Sequence, residues 1–449
     1  MGNLSRRDFL AAGAAASLFT IIPSHVLAQP PSNKLNIGCV GVGGMMGGGD
    51  VEGVADGNNI YALCDVDANH LGKMAARHSA AKQYRDFREM LDKEHKNLDA
   101  ITVTTPDHMH ATIALAAMER GLAVHCQKPL TQSVWEARLL TNAEKKYKVP
   151  TQMGNQGYSC EATRVACEMI WSGVIGDVLE VHSMSGGGFS REITAWPPKE
   201  DIPATLEWDL WLGHTREQPY SSKIHPINWR GFLDYGSQMV GDWGIHQFGP
   251  ANWALQLGRP DSVKCLEVKG VNPVTYPSYS CVMQFPERPN PHVPAGKMPP
   301  VKVFWYEGEM AAHFQPPEGL TAEDCKGFNE IFVGTKGFIG TKGRGEAVSL
   351  LPVAKMKDYE LPKPVIERVL DGHYQNWVQA CKGGKPAVSN FSIAGPYSEW
   401  ILLGAVCWRF PEEELKWDGA NLRFTNNDKA NEFLKPHFRK GWELPEISV

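Results

Sequence analysis

From Leu35 onward the chain alternates short apolar runs with segments whose apolar positions repeat about every three to four residues. Residues 35–40, 60–64, 100–104 and 123–126 are apolar at nearly successive positions, as strands covered on both faces are. Residues 68–78, 87–93, 113–120 and 135–147 carry the helical period. This alternation predicts a Rossmann-type, doubly wound parallel sheet over 34–152. Beyond Tyr158 the pattern changes. Residues 178–183, 263–269, 280–285, 301–306, 330–333 and 338–341 read as strands separated by turns. They predict an open, largely antiparallel sheet with one face covered by helices, an α+β domain over 153–449. The proline-rich stretch 286–300 predicts a surface loop or hairpin excursion. Helical runs over 373–382 and 393–410 are expected to pack back toward the first domain.

Residues 1–28 follow a different logic. Ser5-Arg6-Arg7-Asp8-Phe9-Leu10 is a twin-arginine motif, residues 11–27 form a modest apolar stretch, and Val26-Leu27-Ala28 offers small residues for cleavage. The segment is too weak for a stable membrane span. It predicts export by the twin-arginine translocase to the periplasm or beyond, as a protein already folded around its cofactor.

Composition narrows the classes. With 45 basic against 50 acidic residues and a net charge of −5, the chain has no basic block to attract nucleic acid. Fourteen tryptophans and forty-four glycines suit aromatic, turn-rich sites for sugar-like ligands. The ten cysteines contain no C-x-x-C pair and no zinc-ligand spacing, so mostly free, buried thiols are expected.

The first strand runs into Gly41-Val42-Gly43-Gly44-Met45-Met46-Gly47. Glycines let a backbone approach a pyrophosphate, and the N-terminus of the next helix meets its charge. Asp65 closes the second strand about twenty residues on, where a carboxylate can bond the adenosine ribose hydroxyls. A carboxylate there repels a 2′-phosphate, which favours NAD over NADP. Met46 occupies the third glycine position, with Gly47 one residue late.

Three further motifs follow in order: Thr104-Thr105-Pro106 with His110, then Gln127-Lys128-Pro129, then Gly241-Asp242-Trp243-Gly244-Ile245-His246. In this order, from Leu35 to the C-terminus, the chain resembles the Gfo/Idh/MocA oxidoreductase family. It looks closest to an exported, tryptophan-rich branch with segments such as Glu207-Trp208-Asp209-Leu210-Trp211-Leu212-Gly213 and Asn228-Trp229-Arg230-Gly231. The resemblance implies that Lys128 sits between nicotinamide and substrate. It also implies that Asp242 binds substrate and His246 is the acid/base. Gln127 departs from the family's usual Glu and removes a negative charge beside Lys128.

The chemistry is sensible on its own terms. Oxidising a secondary alcohol leaves a hydroxyl proton for a base, and imidazole is suited to take it. Asp242 lies one helical turn from His246 and can orient it or grip a second hydroxyl. Lys128 offers a charge-assisted hydrogen bond to the developing alkoxide. The cofactor set is therefore Gly41, Gly43, Gly44, Met45, Met46, Asp65, Thr104, Pro106, His110, Gln127, Lys128, Asn155, Trp229 and Arg230. His110 and Asn155 serve equally well as a helix cap and a turn former. His182, His225 and Tyr235 are sugar-pocket candidates. No ligand spacing demands a metal among His182, His225, Asp242 and His246. Two classes remain. One is an NAD-dependent oxidoreductase acting on a sugar, polyol or glycoside. The other is a redox-neutral NAD-dependent glycoside hydrolase that oxidises a ring hydroxyl transiently. The exposed sheet face predicts a homo-oligomer, a dimer or tetramer.

Overall fold

The computed structural model describes residues 34–448, so the twin-arginine segment lies outside the described residues. Strands β1 (Asn36–Val40), β2 (Asn59–Cys64), β3 (Lys82–Tyr84), β4 (Ala100–Val103), β5 (Ala123–Cys126) and β6 (Thr151–Met153) form one sheet in the order β3-β2-β1-β4-β5-β6. Every pairing in it is parallel. The winding direction reverses between β1 and β4. That switch point opens a crevice at the strands' C-terminal ends, where ligands of such sheets bind.

Helices α1 (Gly47–Ala55), α2 (Ala68–Arg77), α3 (Phe87–Glu94), α4 (Asp107–Glu119) and α5 (Val134–Tyr147) connect the strands. The α5 start is written in its sequence. Ser133 and Glu136 cap each other's backbone amides reciprocally. Two elements differ from the pattern-based expectation. Helix α4 begins at Asp107 rather than at 113, because its first turn buries the polar Asp107, His108 and His110, which break the apolar period. Strand β3 is a polar edge strand, Lys-Gln-Tyr, with no apolar run to announce it.

The second sheet contains β7 (Val178–Ser185), β8 (Ser262–Lys269), β9 (Ser278–Phe285), β12 (Val301–Glu307), β13 (Glu330–Gly334), β14 (Gly337–Lys342), β15 (Ala347–Leu351), β16 (Glu414–Asp418) and β17 (Arg423–Phe424). Their order is β15-β14-β13-β7-β12-β9-β8-β16-β17. The β7–β12 pair is parallel and the others are antiparallel. The proline-rich stretch is a hairpin, β10 (Arg288–Pro289) against β11 (Lys297–Met298). Arg288 anchors it through the carbonyls of Leu255, Pro286 and Pro299.

Helix α6 (Glu161–Trp171) leads into this sheet, and α7 (Gly372–Cys381) and α8 (Phe391–Cys407) return to the first one. Trp377, Val378 and Cys381 of α7 share a core with Ile37 and Cys39 of β1. On α8, Glu399 takes a two-pronged bond from Arg138 of α5. All ten cysteines are unpaired, and nine of them are buried. Among the described residues no helix is long and apolar enough to cross a membrane.

Candidate active site

A cleft of about 1440 Å³ opens above β1, β2, β4 and β5.

The turn after β1 forms one end. Gly41 has φ of 80°, and a β-carbon there would stand 2.6 Å from the Thr104 carbonyl oxygen. Helix α1 begins at Gly47, where a β-carbon would collide with the Gly41 carbonyl. The close approach expected at Met46 is therefore made at Gly47. The loop is one residue longer than G-x-G-x-x-G, and Met46 becomes the residue before the helix. Asp65 Oδ2 accepts the amides of Val42 and Gly43, both at 3.0 Å, and Oδ1 accepts Asp67 N at 2.9 Å. These bonds hold the carboxylate at the end of β2, while burial pushes its pKa up. Among the described residues the amides of Gly44, Met45 and Met46 meet no protein acceptor. Together with the α1 N-terminus they make a cradle for an anion. Arg85 also lines this end, but the carbonyls of Val66 and Thr205 occupy its NH2 group at 2.5 and 2.6 Å. These residues fit a dinucleotide without a 2′-phosphate.

At the other end, Lys128 follows β5 and donates to Asp242 Oδ1 at 2.6 Å and to the Asp242 carbonyl at 3.0 Å. Asp242 lies in a π-helical turn, Val240–Gly244, that runs directly into His246. Such turns are frequent at functional sites. The imidazole is buried, its Nδ1 has no partner among the described residues, and its pKa lies well below 6.5. Burial is the main cause, with the charges of Lys128 and Arg344 adding to it. His246 is thus a neutral base at working pH. Arg230 lies with its Nε 3.9 Å from Asp242 Oδ1 and its guanidinium over the Trp229 ring.

A buried carboxyl, that of Asp50, stands next to Gln127, and burial pushes its pKa up. Gln127 Nε2 donates to buried Asp50 of α1 at 2.9 Å, and Thr104 and Tyr374 donate to the same carboxylate. A glutamate at 127 would face Asp50 with like charge, whereas glutamine supplies a donor. The orientation of Lys128 is set by Asp242 instead.

The cleft gathers Gly41, Gly43, Gly44, Met45, Met46, Asp65, Thr104, Pro106, Gln127, Lys128, His225, Trp229, Arg230, Asp242 and His246 from the sequence-based set. Four of that set do not line it. His110 places its two ring nitrogens 2.7 and 2.9 Å from the Pro129 and Thr105 carbonyls, and its one N–H donates to one of them, so it packs against the backbone behind the site. Tyr235 is fully buried among Trp211, Phe232 and His108. His182 of β7 stacks on Phe304 at 4.6 Å and bonds Tyr306 and Glu180 on the second sheet, away from the cleft. The conceivable metal set therefore does not assemble. Asn155 is buried with both amide atoms unpartnered, just behind the cleft residue Gln156.

Other lining residues escaped the sequence reading. Asp107 accepts from Ser237 at 2.7 Å, and burial pushes its carboxyl up to about 7. Trp243 sits between Asp242 and His246, and Arg344 reaches in from the β14–β15 turn. The only signal for Arg344 was its position between Gly343 and Gly345, a turn signature without a chemical one.

A Gfo/Idh/MocA model, an oxidoreductase family with an NAD-binding Rossmann fold, matches residues 35–155. Its companion C-terminal alpha/beta domain model matches residues 162–271, and the two matches together cover more than half the chain. A glycosyl hydrolase family 109 protein from Bacteroides thetaiotaomicron is 27% identical over 267 residues, 56% of this chain and 50% of that protein. An inositol 2-dehydrogenase from Salmonella typhimurium is 28% identical over 153 residues, 33% of this chain and 45% of that enzyme. The chain thus spans about half the length of the curated relatives it matches. A solved inositol dehydrogenase homologue from Azotobacter vinelandii, complexed with NADH and myo-inositol, superposes with a TM-score of 0.55 at 16% identity. That superposition covers 86% of this chain and 98% of the homologue, and it speaks for the fold.

Proposed function

This chain belongs to the Gfo/Idh/MocA oxidoreductase family, and from that premise we propose that it oxidises a secondary hydroxyl of a sugar, polyol or glycoside with NAD. The observation that carries the proposal is the convergence of Lys128, Asp242 and His246 at the far end of the glycine-loop cleft. NAD, when bound, supplies the hydride acceptor. Gly41 to Asp65 would hold the dinucleotide, the free amides of Gly44 to Met46 and the α1 N-terminus offering donors to its anionic part. Lys128 donates to the reacting oxygen and steadies its developing negative charge. Neutral His246 takes the hydroxyl proton. Asp242 holds Lys128 in place and accepts from a neighbouring hydroxyl.

The same reading extends to the cofactor's history. A twin-arginine signal at Ser5 to Leu10 supports export of a folded protein to the periplasm, with NAD retained from the cytoplasm. The matched glycosyl hydrolase relative supports a second reading, in which transient ring oxidation allows elimination, hydration and re-reduction with no net change in NAD. Incubation with free sugars and with simple glycosides, without added nucleotide, separates the two. Stoichiometric NADH supports net oxidation, and released aglycone without NADH supports the hydrolase. Protein that purifies without nicotinamide and binds NAD only weakly would overturn the retained-cofactor reading.

A further inference from the structure

Three arginines line the cleft, and two of them are engaged by the protein. Arg85 bonds the carbonyls of Val66 and Thr205. Arg230 reaches the Ile227 carbonyl at 3.3 Å and lies 3.9 Å from Asp242. Arg344 has no hydrogen bond and no ion pair from its guanidinium among the described residues, although it is half-buried. Its five donors are therefore free to meet an acceptor on a ligand in the cleft.

Its backbone is fixed. The turn that carries it sits between Gly343 and Gly345, and Thr163 of α6 donates to the Gly345 carbonyl at 3.3 Å. Gly157 lies so close to the Arg344 carbonyl that a β-carbon there would clash. The guanidinium stands 5.7 Å from the centre of the Trp243 ring, which lies on the turn between Asp242 and His246. Arg344 therefore faces a substrate held by Lys128 and His246 rather than the adenosine end.

Charge around it is lopsided. Lys128, Arg230 and Arg344 are cations, while Asp242 is already paired with Lys128. Asp107 is the other carboxyl at this end, and Ser237 donates to it. Among the described residues Arg344 is the lining arginine without an ion pair.

We infer that the substrate is a sugar acid whose carboxylate is received by Arg344, while Lys128 and His246 address its reacting hydroxyl. This rests on the reading of the cleft as an NAD-dependent hydroxyl oxidase and names its substrate class. A single planar guanidinium matches a single carboxylate in a two-pronged bond, a geometry that lysine does not reproduce.

The test is a binding titration of the NAD-loaded protein, followed by tryptophan fluorescence, with glucuronate against glucose and galacturonate against galactose. Glucose 6-phosphate is the third arm. NAD affinity is measured on the same samples. The inference expects each uronate to bind about tenfold to a hundredfold more tightly than its hexose. Arg344→Met should erase that preference while NAD affinity stays within about threefold, and Arg344→Lys should restore part of it. The preference should also shrink as salt rises. Equal binding of hexose and uronate by the wild-type protein would overturn the inference and leave the oxidase reading intact. Tighter binding of the phosphate ester than of the uronate would overturn the carboxylate assignment. A parallel loss of NAD affinity in Arg344→Met would assign the arginine to the cofactor. Absence of NAD binding in the wild-type protein would instead sink the oxidase reading itself.

Discussion

Between Gly41 and Asp65 the cleft is made of backbone, with amides, a helix N-terminus and a glycine whose missing β-carbon lets two turns touch. Its far end is made of side chains, in which Lys128, Asp242, His246 and Arg344 arrive from separate segments, the paired Lys128 and Asp242 standing 114 positions apart. The backbone end has no room for a β-carbon at Gly41 or Gly47. The side-chain end depends on charge. Its lysine is held by a carboxylate on another domain's π-helical turn, so the chemistry requires both domains to be in register.

The largest way to test that division is Lys128→Ala. Turnover should fall by about a thousandfold, the scale of losing a donor to a developing oxyanion, with NAD affinity within about threefold. Steady-state rates beside an NAD titration check this. His246→Ala should cost about a hundredfold or more in turnover and again spare NAD. Equal loss of turnover and cofactor affinity in either variant would show that the two ends are not separable.

The reverse separation comes from Gly47→Val. The added β-carbon meets the Gly41 carbonyl, so NAD affinity should fall by about a hundredfold, on the order of 2.7 kcal/mol. Turnover at saturating NAD should hold. A weaker effect of the same kind is expected for Asp65→Asn, about tenfold in NAD affinity, because the carboxylate that organises Val42 and Gly43 loses charge.

The smallest expected effect is on pH dependence. His246 has its pKa depressed far below 6.5, so its neutral, proton-accepting form persists as pH falls through 6.5, and it produces no inflection there. Asp107 is raised to about 7 by burial, so it is protonated below that pH and a carboxylate above it. The oxidation rate should inflect a few-fold near pH 7, and Asp107→Asn should remove that inflection. An inflection that survives the substitution would place the titrating group elsewhere.

The same contrast between the ends explains what was readable in the sequence. The glycine loop, Asp65 and the alternating strands and helices are local patterns, so their periods and spacings carried the first sheet and the nucleotide end. Lys128, Asp242 and His246 were legible through motifs, and the structure brings them together. The edge strand β3 lacked an apolar run that would stand out. His182 and Tyr235 had the right chemistry for a sugar pocket, but burial among aromatic rings decided their place, and burial is a property of the assembled fold. The Asp50–Gln127 pair was hidden for the same reason, since the two residues lie 77 positions apart and neither is unusual alone. Arg344 was the hardest to see. An arginine on a glycine-flanked turn is ordinary until it is found in the cleft with no ion pair among the described residues.

The central claim is that the backbone end holds NAD while the side-chain end oxidises a hydroxyl. Its most direct test mixes NAD-loaded wild-type protein and Lys128→Ala, matched for NAD content, with a panel of sugars and glycosides and no added nucleotide. The account predicts NADH or released aglycone from the wild-type protein, and neither from Lys128→Ala at equal NAD content. Undiminished product from Lys128→Ala, or none from a wild-type protein that holds NAD across the whole panel, would contradict it.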